Sequence, residues 1–227
     1  MKEKAVIFDF NGTLFWDSEI NYRSWYNFIK KKLNKEYSRE EYAHLNGRTT
    51  FETLEIVFSE KLSQELIDKL SIEKENEYLK ILEEEKDKIS LAPGVEVLLK
   101  HLLEKNIKIA IATSAHPSLM EEYEKIFKLS RYFKKEYIIA NDGSLASKPD
   151  PCIYNKTIDI LNIRSEDAIV FEDTKSGIIS ASRAKVGQII AVNSIGSDSK
   201  TINNLKETSF FINNFNQVNV KKLIHNI

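Results

Sequence analysis

Four short polar segments close or follow apolar runs in this chain of 227 residues: Asp9-Phe10-Asn11-Gly12-Thr13, Thr113-Ser114, Ser147-Lys148-Pro149 and Glu172-Asp173. Carboxylates in such places can bind a hard cation or attack as nucleophiles, and an ammonium with hydroxyls can hold an anion. Singly, each segment is ordinary. An aspartate that ends a strand is often a helix cap, and a Lys-Pro pair usually marks a loop. Weight comes from their order along the chain and from their common position at one edge of a sheet.

That position follows from the elements around them. Ala5-Val6-Ile7-Phe8 is a continuous apolar run ended by Asp9, which suits a strand covered on both faces. From about Ser18 to Lys88 the pattern changes to charged segments with apolar residues at helical spacing, among them Trp25, Phe28, Ile29 and Leu33, then Leu66, Leu70, Tyr78 and Leu82. After Pro93-Gly94 strands and helices alternate: helix to about Glu104, strand Ile107–Ala112, helix near Leu119–Phe127, strand Tyr137–Ala140, helix near Ile153–Leu161, strand Ala168–Phe171, helix near Ser176–Lys185 and strand Gln188–Val192. Alternation of this kind predicts an α/β fold, a Rossmann-like parallel sheet with helices on both faces and right-handed crossovers, carrying an inserted all-helical region. Ligands of such sheets bind beyond the carboxyl ends of the strands. Asn213-Asn214-Phe215-Asn216 reads as a turn before a short helix from about Val218 to His225.

Composition narrows the partners. Thirty-three basic and 34 acidic residues give a formal charge of −1, which offers no electrostatic attraction to nucleic acid or a membrane surface. Cys152 is the one cysteine and cannot form an internal disulfide, which fits a reducing compartment. The apolar run after Met1-Lys2-Glu3-Lys4 is too short for a signal core, and no stretch approaches the roughly 20 apolar residues of a membrane span. The expectation is a cytoplasmic protein, monomeric or weakly dimeric. Lys30-Lys31-Lys32 and Glu83-Glu84-Glu85 read as solvated helix faces.

In their order and spacing the four polar segments resemble the motifs of the haloacid-dehalogenase superfamily. The resemblance extends over residues 4 to 193 and is closer to the subgroup with a helical cap after the first strand, which includes β-phosphoglucomutase and small sugar-phosphate phosphatases. It also takes in Asn21-Tyr22-Arg23-Ser24-Trp25, Asn46-Gly47-Arg48-Thr49, Ala92-Pro93-Gly94 and Glu172-Asp173-Thr174-Lys175-Ser176-Gly177. It implies a core of residues 1–15 and 90–227 and a cap of residues 16–89 that closes over a site from which water is excluded. It also implies Asp9 as a nucleophile that forms an aspartyl-phosphate. Lys148, Thr113, Ser114 and Gly12 would then hold the phosphoryl group, and Mg²⁺ would sit on Asp9, Asp173, the main-chain carbonyl of Asn11 and, nearby or coordinating, Glu172. The chemistry agrees, because a carboxylate can carry a phosphoryl group if the incoming dianion is neutralised. The competing reading of Glu172-Asp173 is a cap for the helix that begins near Thr174.

One residue departs from the pattern. Two positions after the nucleophile, phosphatases and phosphomutases of this kind carry an aspartate that protonates the leaving oxygen and later activates the acceptor, and this chain has Asn11. An amide hydrogen-bonds but does not titrate, and losing general acid/base help is worth on the order of 10²–10⁴ in rate. The substitution leaves five explanations open: a substrate with a good leaving group, a replacement acid from the cap, a binding protein without turnover, an engineered replacement, or deamidation of Asn11-Gly12 to aspartate. The dehalogenase branch has a tyrosine at this position and works without metal, so Asn11 does not match it.

In the helical insertion, Arg48 resembles a cap arginine that grips a distal anion, and Lys74 aligns with a cap lysine. Asn21 stands where the mutase branch has a histidine and Ala115 where it has a serine, while His116 lies close to the second strand end. Trp16 and Trp25 read as packing residues. The function expected is Mg²⁺-dependent hydrolysis of a small phosphorylated metabolite. A β-phosphoglucomutase-like isomerase and a phosphometabolite-binding protein are the alternatives.

Overall fold

The computed structural model describes residues 4–43, 45, 50–194, 202 and 204–225. Among these the sheet has six strands, β1 (Ala5–Phe8), β2 (Lys108–Thr113), β3 (Ile138–Ala140), β4 (Ala168–Glu172), β5 (Gln188–Val192) and β6 (Phe210–Ile212), all parallel and in the order β3-β2-β1-β4-β5-β6. The chain builds outward from β1 on one side and then crosses over to build outward on the other. Successive connections therefore leave β1 and β4 in opposite directions, which opens a crevice at their carboxyl ends.

Strand alternation sorts the core. Ala5 and Ile7 join Ala110, Ala112, Val170 and Ala191 on the face covered by α7 (Cys152–Leu161) and α8 (Lys175–Arg183), through Tyr154, Ile158, Ile178 and Ala181. Val6 and Phe8 point to the opposite face, where the rings of Phe8 and Phe171 stack 5.1 Å apart and Phe215 lies 5.4 Å from Phe171. Both faces are covered, so every residue of β1, β4 and β5 is buried. This is why these strands read as unbroken apolar runs.

The chain divides into two compact units, Met1–Trp16 with Ser90–Ile227, and Asp17–Ile89. The second is helical: α1 (Ser18–Leu33), α2 (Arg39–Ala43), α3 (Thr50–Phe58) and α4 (Gln64–Glu85). Its core gathers Trp25, Phe28 and Ile29 of α1 with Leu54, Ile67 and Leu70. Asn34 ends α1 in the left-handed conformation, and the Ser63 side chain accepts the Leu66 N–H at the start of α4. Lysines of the run in α1 meet α4 across the surface, Lys31 with Glu77 at 3.1 Å and Lys32 with Glu73. No helix among the described residues is long and apolar enough to cross a membrane.

α5 (Val95–Glu104) and most other elements have boundaries that agree with the sequence reading to within two residues. Thr113 and Glu172 are the last residues of their strands and do not lie beyond them. The C-terminal segment is richer than a turn and a helix. It contains β6, a 3-10 turn at Phe215–Gln217, and a last helix, α9, at Val220–His225. Phe210 and Phe211 are exposed on this three-residue edge strand, so β6 carries no buried apolar run by which to be recognised.

Candidate active site

Asp9 leaves β1 with its backbone N–H still donating to the Phe171 carbonyl at 3.0 Å, so its side chain emerges beside the end of β4. Lys148 reaches the same place from the loop before α7. Its Nζ donates to Asp9 Oδ1 at 2.7 Å, to Glu172 Oε1 at 2.6 Å and to the Ala112 carbonyl, next to Thr113, at 3.3 Å. The three charged side chains are nearly enclosed, with 7% of Lys148, 10% of Asp9 and 1% of Glu172 exposed. Burial alone would lower the Lys148 pKa, but the carboxylates of Asp9 and Glu172 outweigh it and hold the ammonium well above its usual range.

Glu172 is held from several directions. Oε1 also accepts the Tyr154 hydroxyl at 3.0 Å, and Oε2 accepts the N–H groups of Asp173 and Thr174 and the Thr174 hydroxyl, each at 3.0 Å. Thr174 in turn caps α8 by accepting the Gly177 N–H at 3.1 Å. A Cβ on Gly177 would overlap the Glu172 carboxylate, so that position can carry only hydrogen. Burial, followed by the Glu172 charge, pushes the Tyr154 phenol well above its ordinary value, and Lys148 sits 5.1 Å from the centre of its ring.

Asp173 is half-buried and accepts the Thr13 hydroxyl at 3.3 Å through Oδ1. Gly12, with φ at 80°, passes so close that a Cβ there would run into this carboxylate. Asp9, Glu172 and Asp173 bring carboxylate oxygens within 4.8 Å of one another. A cluster of hard oxygen donors beside a glycine turn fits a divalent cation of the Mg²⁺ kind.

The remaining residues named from the sequence make the following contacts. Thr113 is buried at the end of β2 and its hydroxyl oxygen accepts the Ala115 N–H at 3.1 Å, whereas Ser114 beyond it is exposed. His116 caps α6 (Pro117–Phe127): its Nδ1 accepts the Ser118 N–H at 3.3 Å and lies 2.8 Å from the Ser118 hydroxyl. Asn21 and Lys74 are both in the helical unit, where Lys74 Nζ donates to Asn21 Oδ1 at 2.7 Å and lies 5.2 Å from the ring centres of Trp25 and of Tyr78. Arg48 lies outside the described residues. The Asn11 side chain turns to α6 and donates from Nδ2 to the Tyr123 hydroxyl at 2.6 Å.

Two tyrosines escaped the sequence reading. Tyr154 and Tyr123 lie on the buried faces of α7 and α6, at spacing shared with Ile153, Ile158 and Leu161 in one case and Met120 and Phe127 in the other. At such positions a phenol looks like core. The signal that could have singled them out is the hydroxyl, since a fully buried tyrosine needs a polar partner.

Carboxylates and one lysine gathered at the carboxyl ends of a parallel sheet define an α/β enzyme of the phosphatase and phosphomutase type. The haloacid dehalogenase-like hydrolase family model matches residues 6–192, so the chain belongs to that family. A phosphorylated carbohydrates phosphatase of Thermotoga maritima is 32% identical over 193 residues, covering 83% of this chain and 85% of that protein. A β-phosphoglucomutase of Bacillus subtilis is 26% identical over 77% of each chain. The crystal structure of a family IA, variant 3 hydrolase from Entamoeba histolytica superposes with a TM-score of 0.91 at 32% identity, covering 97% of both chains.

Proposed function

We propose that this protein is a Mg²⁺-dependent phosphohydrolase that acts on a small phosphorylated metabolite through an aspartyl-phosphate on Asp9. The observation that carries the reading is the buried Lys148 ammonium, which bridges Asp9 and Glu172 at 2.7 and 2.6 Å. A carboxylate attacks a phosphate dianion only when the negative charge of both partners is offset, and an ammonium fixed beside the nucleophile offsets it in a site of low dielectric. Asp9 and Asp173, with the main-chain carbonyl of Asn11, would hold Mg²⁺, which supplies further charge neutralisation at the phosphoryl oxygens. Glu172 spends its oxygens on Lys148, Tyr154 and Thr174. It therefore serves this arrangement by holding Lys148 and lying close to the cation. The Thr113 hydroxyl and the backbone amides that follow it would donate to the phosphoryl oxygens, beside the close approach that Gly12 permits.

In the first step an Asp9 oxygen bonds to phosphorus and the ester or anhydride oxygen departs with the bonding pair. In the second step water attacks phosphorus, the bond to Asp9 breaks, and inorganic phosphate leaves. The relative from Thermotoga maritima supports phosphorylated carbohydrates as one class for assay.

The test is a panel of phosphate esters, anhydrides and acyl phosphates with Mg²⁺, read as phosphate release, with Asp9→Asn as background. Loss of at least about 10³-fold is expected for the variant, as for removal of a covalent nucleophile. Equal release by both proteins would overturn the proposal. Conversion of a sugar phosphate to its isomer without phosphate release would instead make a sugar hydroxyl the acceptor.

A further inference from the structure

Asn11 is tied into the protein in a way that bears on what can leave from the site. Its amide Nδ2 donates to the hydroxyl of Tyr123 at 2.6 Å. Tyr123 is fully buried, stacked on Phe10 with ring centres 4.6 Å apart and edge-on to Phe15 at 5.7 Å, with Phe127 packed 6.0 Å away. The turn that carries Asn11 is closed as well, since the Gly12 N–H donates to the Phe15 carbonyl at 2.7 Å and the Phe15 N–H to the Phe10 carbonyl at 3.0 Å. The residue two after the nucleophile is thus a neutral amide bonded to a buried phenol inside an aromatic cluster.

Three other groups of the α/β unit that can carry a proton are already engaged. Lys148 is bound to two carboxylates whose charge it must balance. His116 is exposed and occupied in capping α6. The Tyr154 hydroxyl donates its hydrogen bond to Glu172 Oε1 at 3.0 Å.

From this we infer that the site favours phosphoryl groups whose leaving oxygen departs without a proton, namely acyl phosphates and phosphoric anhydrides, over phosphate esters of sugar or other alkyl hydroxyls. The inference rests on the proposed phosphohydrolase activity and narrows its substrate class. When Asp9 attacks an acyl phosphate, the phosphorus–oxygen bond breaks and its electron pair leaves on a carboxylate, whose conjugate acid has a pKa of about 4. When a phosphoric anhydride is attacked, the phosphorus–oxygen bond breaks and its pair leaves on the remaining phosphate, whose second pKa is about 6 when it is a monoester. Neither needs an acid at neutral pH. An alkoxide is far more basic than even a phenolate, whose conjugate acid has a pKa of about 10, and must be protonated as it departs. The second step fits the same rule. The aspartyl-phosphate is itself an acyl phosphate, so water attacks phosphorus, the Asp9 carboxylate leaves unprotonated, and the proton of the attacking water goes to the phosphate product.

The experiment compares kcat/KM for acetyl phosphate, pyrophosphate, a series of aryl phosphates with leaving groups of graded basicity, and glycerol phosphate. It uses the full chain with Mg²⁺, its Asn11→Asp variant, and Asp9→Asn as background. A steep fall with leaving-group basicity is expected for the unsubstituted chain, about 10³-fold or more from acetyl phosphate to glycerol phosphate. Asn11→Asp should shrink that gap by about 10²-fold or more, acting on the alkyl end. The inference is overturned if the unsubstituted chain cleaves the alkyl ester within about tenfold of the acyl phosphate, or if it shows the steep fall and Asn11→Asp folds, as read by circular dichroism, and leaves the gap unchanged. In those results Asp9-dependent phosphate release persists, so the phosphohydrolase proposal stands. Absence of Asp9-dependent release from every substrate would sink both.

Discussion

Lys148 in the α/β unit and Lys74 in the helical unit both surrender water around the ammonium, and their surroundings drive them in opposite directions. Lys148 meets two carboxylates, and its charge is held far above the ordinary range. Lys74 meets an amide oxygen and the faces of two aromatic rings. Burial pushes it down to about 8, offset in part by the charges of Asp17 and Glu75. Tyr78, one of the two rings, also donates its hydroxyl to Asp17 at 2.8 Å. An ion pair preserves a buried charge, whereas an amide and π-faces hold an ammonium without fixing its protonation. The α/β unit therefore keeps a cation at all working pH values, and the helical unit holds one that can be discharged in mild alkali.

The largest effect expected from this contrast is that of Lys148→Met. Removing the ammonium leaves Asp9 and Glu172 close together and buried, at a cost on the order of 3–5 kcal/mol, measured by urea unfolding. A loss below about 1 kcal/mol would show that the carboxylates do not depend on it. Gly177→Ala sharpens the same point by forcing the Glu172 carboxylate off Lys148 with the side chains of the ion pair retained. It should cost about 1–3 kcal/mol in unfolding free energy and lower phosphate release. Unchanged stability would mean that Glu172 can be repositioned without strain.

The smallest effect concerns Lys74. Its folded pKa lies below the unfolded value, so the unfolded chain binds more protons between about pH 8 and pH 10.5, and stability rises with pH through that window. The contribution is complete above the unfolded pKa and is lost as pH falls through the folded one. Lys74→Met should abolish this rise, a difference on the order of 1–2 kcal/mol between the two proteins once partial exposure is allowed for. Parallel stability curves for the two proteins from pH 7 to 10 would break the comparison.

How much of this was legible in the sequence depended on whether one chain segment carried the whole signal. The parallel α/β fold was legible because each central strand is covered on both sides and spells itself as an apolar run such as Ala5–Phe8 or Ala168–Phe171. Asp9 and Glu172-Asp173 stood out because polar residues abruptly end those runs. By contrast β6 was invisible, since its pairing with β5 is made by backbone and its two phenylalanines face solvent. Tyr123 and Tyr154 were hidden for the reverse reason. Their rings obey the helical pattern of the core, and their hydroxyl partners, Asn11 and Glu172, lie 112 and 18 residues away. Long-range polar pairing leaves no periodic trace.

The placement of β1 has a consequence for how the molecule is made. Residues 5–8 pair with residues 108–111 on one side and 168–171 on the other. On the ribosome the strand that presents Asp9 emerges ahead of both its neighbours and waits for about 160 further residues before it is flanked on both sides. Closing such distant contacts is slow and entropically costly. During that wait the intervening helical segment, whose internal contacts span shorter stretches of chain, has time to assemble, and the apolar strand ahead of it needs protection from wrong partners.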